Sequence, residues 1–255
     1  MIWTTDLLYL LGLLGVSERA TRSTLSRMVR KGWLVARKQG RRSQYSLTAR
    51  GRLLLEQGKR RVYEAPCTDW DGLWYSVVYS IPESKRNLRH ALRQNLIWLG
   101  FGRLAPATWV SPHNRKAELE SLSNELGVQE HVDLFSSRYL GLSSVQELIQ
   151  RCWNLPELET EYQKFVTRYQ AEHEMCQAQS EEQLRSSSEA CFVRRFWVTQ
   201  DFQSFPRQDP NLPTTLLPPD WIGLTARQLF DDYRQLLDTY SNEFVDAVVR
   251  GEIGK

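Results

Sequence analysis

The sequence predicts an α+β protein on three observations. A basic amino-terminal stretch has a helical period that gives way to two short strands; a central stretch alternates strand and helix periods; a long carboxy-terminal stretch has helical period alone. At 255 residues the chain has room for two or three small domains. Composition places the boundaries at 1–64, 65–142 and 143–255, with Ala65-Pro66-Cys67-Thr68-Asp69-Trp70-Asp71-Gly72 as a linker.

In the first segment Thr4, Thr5 and Asp6 supply caps for a helix from Leu7 to Leu14, which Gly15 ends. Ser17 opens the next helix, from Glu18 to Lys31. Its apolar stripe is Ala20, Leu25, Met28 and Val29. Arg19, Arg22, Ser23, Ser26, Arg27 and Arg30 recur at three- and four-residue steps on the other side. Gly32 stops it, and strands at Trp33–Arg37 and Ser43–Leu47 flank the basic turn Lys38-Gln39-Gly40-Arg41-Arg42. A donor-studded helix followed by a basic hairpin is the order of a winged helix-turn-helix, with the hairpin as wing. Thr48 then caps a helix from Ala49 to Tyr63, whose Lys59, Arg60 and Arg61 either touch a nucleic-acid backbone or stay in water.

Charge separates along the chain. Met1–Arg61 carries 14 Lys and Arg against three Asp and Glu, a net of +11, while the whole chain is +3; residues 62–255 therefore net −8. Such a split predicts a polyanionic partner for the basic segment, because a merely solvated surface mixes its signs. No Trp-lined amphipathic anchor accompanies the charge, so duplex DNA fits better than a membrane. Arginine can reach guanine bidentately in the major groove, and serine can reach bases or phosphates. On this reading Arg22, Ser26 and Arg27 touch base edges, with Arg37, Lys38, Arg41 and Arg42 on phosphates or an adjacent minor groove. The competing class, an interaction scaffold, makes the same cations solubilising surface.

The central segment is read as a β-α-β-β-α-β order with three of its four strands placed: a strand at Leu73–Ile81 broken by Pro82, a helix at Ser84–Leu99, a strand near Thr108–Val110, a helix at Arg115–Leu126 and a strand at Val132–Phe135. That order is ferredoxin-like. Beyond Ser143 only helices are predicted, at Ser144–Trp153, Pro156–Gln179, Glu182–Phe202 and Thr225–Val249, with a proline-rich stretch from Pro206 to Pro219. The apolar run Leu7–Val16 is too short to span a membrane and has no signal-peptide flanks, which predicts a cytoplasmic protein. Cys67, Cys152, Cys176 and Cys191 form no C-x-x-C pair, and His90, His113, His131 and His173 fall into no ligand spacing. Reduced thiols, no metal site and no cofactor are expected.

Short motifs recur through all three segments: Leu14-Gly15-Val16-Ser17-Glu18, Thr24-Leu25-Ser26-Arg27, Gly32-Trp33-Leu34 and Gly40 to Gly51 in the first; Trp70-Asp71-Gly72, Ser80-Ile81-Pro82-Glu83, Trp98-Leu99-Gly100-Phe101-Gly102 and Trp109-Val110-Ser111-Pro112 in the second; Phe205-Pro206, Asp209-Pro210-Asn211-Leu212-Pro213, Asp220-Trp221 and Leu229-Phe230 in the third. On these residues the chain resembles the PaaX family of bacterial transcriptional repressors. The resemblance implies a homodimeric repressor with a winged-helix head, a central dimerising domain and an α-helical effector domain. It also implies a phenylacetate-type catabolic operon, and release from the operator by an aryl-CoA thioester such as phenylacetyl-CoA. Members usually carry a further helix ahead of the one at Leu7, so the chain reads as short at its N-terminus.

A CoA ligand wants cationic and aromatic contacts, which Arg194, Arg195 and Trp197 offer. Trp197, Trp221 and Phe230 are read either as helical core or as an aromatic pocket wall, and His113 either as a ligand-orienting group near the domain junction or as an ordinary surface histidine.

The central segment also resembles the ferredoxin-like nucleases of CRISPR spacer acquisition, through Tyr79-Ser80-Ile81-Pro82. Those enzymes hold a divalent metal with an aspartate where this chain has Ser80. A neutral hydroxyl does not replace a hard carboxylate ligand, which disfavours the alternative of a metal-dependent nuclease, and the protein is not expected to be an enzyme. Asp69 and Asp71 precede the strand and read as turn formers.

Overall fold

The computed structural model describes residues 1–40, 42–63 and 70–254, apart from the side chains of Gln57, Arg60, Arg61 and Arg207. The expectations for Arg41, Cys67, Asp69 and the Arg60 and Arg61 side chains lie outside the described residues. Helix and sheet are mixed, as the sequence predicts.

The amino-terminal elements are β1 (Ile2–Trp3), α1 (Thr4–Leu13), α2 (Glu18–Arg30), β2 (Leu34–Gln39), β3 (Arg42–Leu47) and α3 (Ala49–Tyr63). The central ones are β4 (Trp74–Tyr79), α4 (Arg86–Trp98), β5 (Gly102–Ala105), β6 (Thr108–Ser111), α5 (Lys116–Leu126) and β7 (Val132–Ser137). Then come α6 (Val145–Cys152), α7 (Leu155–Gln177), α8 (Glu181–Ser186), α9 (Ser188–Phe202) and α10 (Ile222–Arg250). Two compact units form: Met1–Glu64 with Arg168–Asp201 and Gln228–Lys255, and Ala65–Thr167 with Phe202–Arg227.

In the first unit, α1 begins three residues earlier than its predicted start. Its N-cap is Trp3, with no side-chain cap bond, and the Thr4 hydroxyl donates to the Ser43 carbonyl at 2.9 Å instead of capping. That bond belongs with β1, a two-residue strand too short to carry a period, which pairs with β3 to give a sheet ordered β1-β3-β2. Leu10 is buried with Phe244 and Val248, so the carboxy-terminal half of α10 covers the apolar flank of α1. Each such side chain contributes roughly 1.5–3 kcal/mol. Ser17 caps α2, its hydroxyl accepting from the Ala20 amide. One residue of the predicted stripe is corrected: Ala20 is exposed and Thr21 is buried in its place. Buried Thr21 and Leu25 with half-buried Met28 and Val29 follow i, i+4, i+7 and i+8, and helical phase overrides the apolar nature of alanine.

The four strands of the second unit form an antiparallel sheet ordered β5-β6-β4-β7. Alternation along β4 sends Val77 and Tyr79 to a core shared with Leu92 and Leu96 of α4, Trp109, and Leu119 of α5. β5 is short and carries a register irregularity between Arg103 and Ala105, and no alternation announces it. Tyr162 stacks on Phe205 at 4.0 Å, meets Trp221 edge-on and donates its phenol to Asp209 at 2.6 Å.

Burial, and then the Asp209 charge, push the Tyr162 phenol well above its usual range, and Tyr169 and Tyr233 of the first unit shift the same way. The folded chain thus holds these protons to higher pH than the unfolded chain does. Their contribution is complete below the ordinary phenol pKa of 10.0 and is lost as pH rises through the folded values. Urea midpoints are expected to stay level from about pH 7 to 9 and to fall above about pH 10, with a slope shallower by about one proton in Tyr162→Phe. An unchanged alkaline slope in that variant would remove Tyr162 from the account.

Candidate nucleic-acid interface

Arg19, Arg22, Ser23, Ser26, Arg27 and Arg30 are all exposed, within roughly 140° of the α2 circumference at 3.6 residues per turn. Two of the arginines have local partners. Arg22 pairs with Glu18 at 2.8 Å, both side chains more than half exposed, and Arg27 donates to the Thr24 hydroxyl at 3.4 Å. Arg19 and Arg30 enter no ion pair among the described residues. An exposed pair such as Glu18–Arg22 is worth less than about 1 kcal/mol, so it yields to a better acceptor.

The hairpin pairs from Leu34↔Leu47 to Gln39↔Arg42, two residues beyond its predicted strand end on one side and one residue on the other. Gly40, just after β2, has φ +60°, as a tight connection requires. Arg37, Lys38 and Arg42 are exposed on it. At the base of the hairpin, the Trp33 carbonyl accepts from the Thr48 amide at 3.0 Å, and the Thr48 hydroxyl donates to the Gly32 carbonyl at 2.7 Å while accepting from the Gly51 amide. Thr48 therefore ties the hairpin to the start of α3, and α2 ends just before Trp33. Sequence reasoning passed over Arg50 and Arg52 at the start of α3. Both are exposed, and Arg52 is spent on the Leu47 carbonyl; the cation count was the only signal for them.

The residues expected to meet an effector are placed differently. Arg194 donates to the Cys176 sulfur at 3.2 Å, beside the Tyr233 phenol, which burial holds above its usual range. Arg195 is ion-paired to Asp238, which also holds Arg234. Trp197 is 39% exposed and lies edge-on to Phe196. The two guanidiniums are thus engaged by separate partners inside the first unit. Trp221 and Phe230 are core: the first lies against Tyr162, the second is fully buried and stacked on Tyr63. His113 directs Nε2 at the Asn211 carbonyl at 2.7 Å, which fixes the proton on that nitrogen and makes the ring a strut of the second unit. Asp71 accepts from the Leu73 amide at 2.8 Å, a turn former as expected. Ser80 is exposed beyond β4, and among the described residues no three His, Cys, Asp or Glu side chains gather as a metal site. None of the helices searched is long and apolar enough to cross a membrane.

Family models for a PaaX-like protein, for the PaaX protein central Cas2-like domain and for the PaaX-like protein C-terminal domain match residues 1–51, 67–149 and 153–247. The chain is 31% identical over 257 residues to the transcriptional repressor PaaX of Escherichia coli (strain K12), an alignment that takes in 100% of this chain and 80% of that protein. The chain belongs to the PaaX family. Its PaaX-type fold is also similar to that of the uncharacterized protein Rv0674 from Mycobacterium tuberculosis. The two superpose with a TM-score of 0.63 over 96% of this chain and 90% of that one, at 23% identity. The PaaX family is one of transcription regulators and not of enzymes, in keeping with a neutral Ser80.

Proposed function

We propose that this chain is a homodimeric, DNA-binding transcriptional repressor of an aromatic-acid catabolic operon of the phenylacetate type, released by an aryl-CoA thioester such as phenylacetyl-CoA. The observation that carries the reading is the exposed arginine and serine face of α2 beside an exposed cationic hairpin. Full-length likeness to a named repressor supports it. In this reading α1, α2 and the β2–β3 hairpin are a winged helix-turn-helix. The sheet order β5-β6-β4-β7 supports a ferredoxin-like central domain that dimerises, followed by an α-helical carboxy-terminal domain.

Two copies of α2 enter successive major grooves of an inverted repeat, with half-site centres about one helical turn, or a multiple of it, apart. Arg22, Ser26 and Arg27 read base edges. Arg19, Ser23 and Arg30 flank them, and Arg37, Lys38 and Arg42, with Arg41 between the strands, hold phosphates or a minor groove. The thioester releases DNA only by binding the incompetent arrangement of the dimer more tightly, by roughly ten-thousandfold for full release, shared between two sites.

The test is fluorescence anisotropy on the DNA upstream of the chain's own operon. A dimer that neutralises about six to ten phosphates loses on the order of a thousandfold in affinity between about 50 and 200 mM salt, and phenylacetyl-CoA lowers the signal at fixed salt. A shallow salt slope, or equal affinity for unrelated duplexes, overturns the reading.

A further inference from the structure

Between Ser84 and Ala117 the chain carries seven Lys and Arg and no Asp or Glu. That stretch nets +7 inside residues 62–255, which net −8, so the rest of those residues net −15. The island repeats within the second unit the charge separation that sets the amino-terminal segment apart.

The fold gathers the island onto one surface. On α4, Arg86, Arg89, His90, Arg93 and Gln94 fall within an arc of roughly 140°, turned away from the buried Leu92 and Leu96. Arg103 joins them from β5: with His90, Arg93 and Gln94 it lines one cleft of about 450 Å³, and no Asp or Glu lines that cleft. Glu83 is spent on Arg89 at 2.6 Å. Arg86 and Arg103 are exposed and enter no ion pair among the described residues. Arg93 is held by neutral acceptors, the Tyr79 phenol oxygen at 2.7 Å and the Pro106 carbonyl at 3.3 Å, which fix the guanidinium and leave its charge uncancelled. The start of α4 adds to the field. Its N-cap is Lys85, with no side-chain cap bond, and its first turn has no acid. Cations there face the positive end of the helix dipole at a cost of roughly 0.3–1 kcal/mol each, and a bound anion reverses the sign.

We propose that the α4–β5 face of the second unit binds the phosphate backbone of duplex DNA, as a contact additional to α2 and the β2–β3 hairpin. Arginine dominates the face, and its planar fork matches phosphate oxygens two at a time. Arg86 and Arg93 stand two turns apart, about 10 Å along α4, long enough to meet two phosphates of one strand. A protein partner would want an apolar centre, and the one apolar residue on this arc is Ile97, at its far end. Backbone contacts carry no sequence information, so the face adds affinity and salt dependence and leaves the choice of operator to α2. The proposal rests on the reading of the chain as a DNA-binding repressor and gives that reading a second surface.

Fluorescence anisotropy of the full-length chain on operator and scrambled duplexes across salt, with sedimentation velocity in parallel, tests the face. Arg86→Gln combined with Arg103→Gln is expected to weaken both duplexes alike. It is also expected to make the fall in affinity between about 50 and 200 mM salt roughly tenfold smaller for each protomer that touches DNA, as the loss of two phosphate contacts requires. Each single variant, with about half that change in slope, serves if the pair does not fold. Lys116→Gln removes an exposed cation already paired with Glu120 at 3.6 Å and is expected to leave the slope unchanged. A shallower slope with unchanged sedimentation supports the face. A wild-type slope in the double variant overturns it and leaves the repressor reading standing, since α2 and the hairpin still report on that. Altered sedimentation in the double variant also overturns it, by assigning the face to protein association. Binding by the wild-type chain that does not respond to salt overturns the face and the repressor reading together.

Discussion

Replacing Arg27 with alanine is expected to lower operator affinity about 10- to 100-fold and to leave binding to unrelated DNA nearly unchanged. A bidentate arginine–guanine contact discriminates by about 1–3 kcal/mol, and Arg27 is exposed on α2 with only a long bond to Thr24 to give up. Lys38→Ala, on the hairpin, is expected to act otherwise. It removes one phosphate contact, weakens every sequence alike and makes the salt slope shallower by about one charge. Competition anisotropy with operator and scrambled duplexes, repeated across salt, separates the two variants. If both shift specific and nonspecific binding equally, α2 is not the reading element.

Gly51→Ala is expected to destabilise the first unit by about 3 kcal/mol and to abolish operator binding near its shifted melting point. In a helix interior this exchange normally stabilises by up to about 1 kcal/mol. Here a Cβ would stand 2.1 Å from the Trp33 carbonyl oxygen, a backbone atom held by the Thr48 amide, whose own side chain is tied to the Gly32 carbonyl. Relief requires α3 to part from the base of the hairpin, which also releases the end of α2. Gly58→Ala on the same helix has nothing within 4 Å of the added carbon and is expected to stabilise. Thermal unfolding of the pair checks the argument, since both variants share the propensity change and only one meets an obstacle. Melting shifts of the same sign in both would show that the close approach at Trp33 does not govern the outcome.

The elements legible in the sequence were those with their own period and stop signals. α2 begins after Ser17 and ends before Gly32, and the hairpin strands bracket Gly40, because caps and positive-φ glycines are local devices. What depended on distant partners was hidden. β1 exists because β3 lies beside it. The predicted helix over Glu182–Phe202 is two helices, α8 and α9, parted where the Ser187 hydroxyl turns back to the Gln183 carbonyl at 2.8 Å. No glycine or proline marks that break. The exposed arginine and serine face of α2 was readable because exposure follows from helical phase alone, with Thr21 the exception that phase corrected. The effector side was not. Arg195 finds Asp238 43 residues later, and Trp153 meets Trp74 and Gly102 only through the packing of α6 on β5.

Glu18 gives the free protein a rehearsal partner for Arg22. If α2 reads DNA as proposed, the guanidinium exchanges a weak, water-exposed clasp for a stronger one against a matching guanine, whereas over a mismatched step the exchange gains little and leaves the carboxylate near phosphates. A repressor arranged in this way adheres less to the bulk of a chromosome than its cation count suggests, and it gains selectivity by letting go early of the wrong sites.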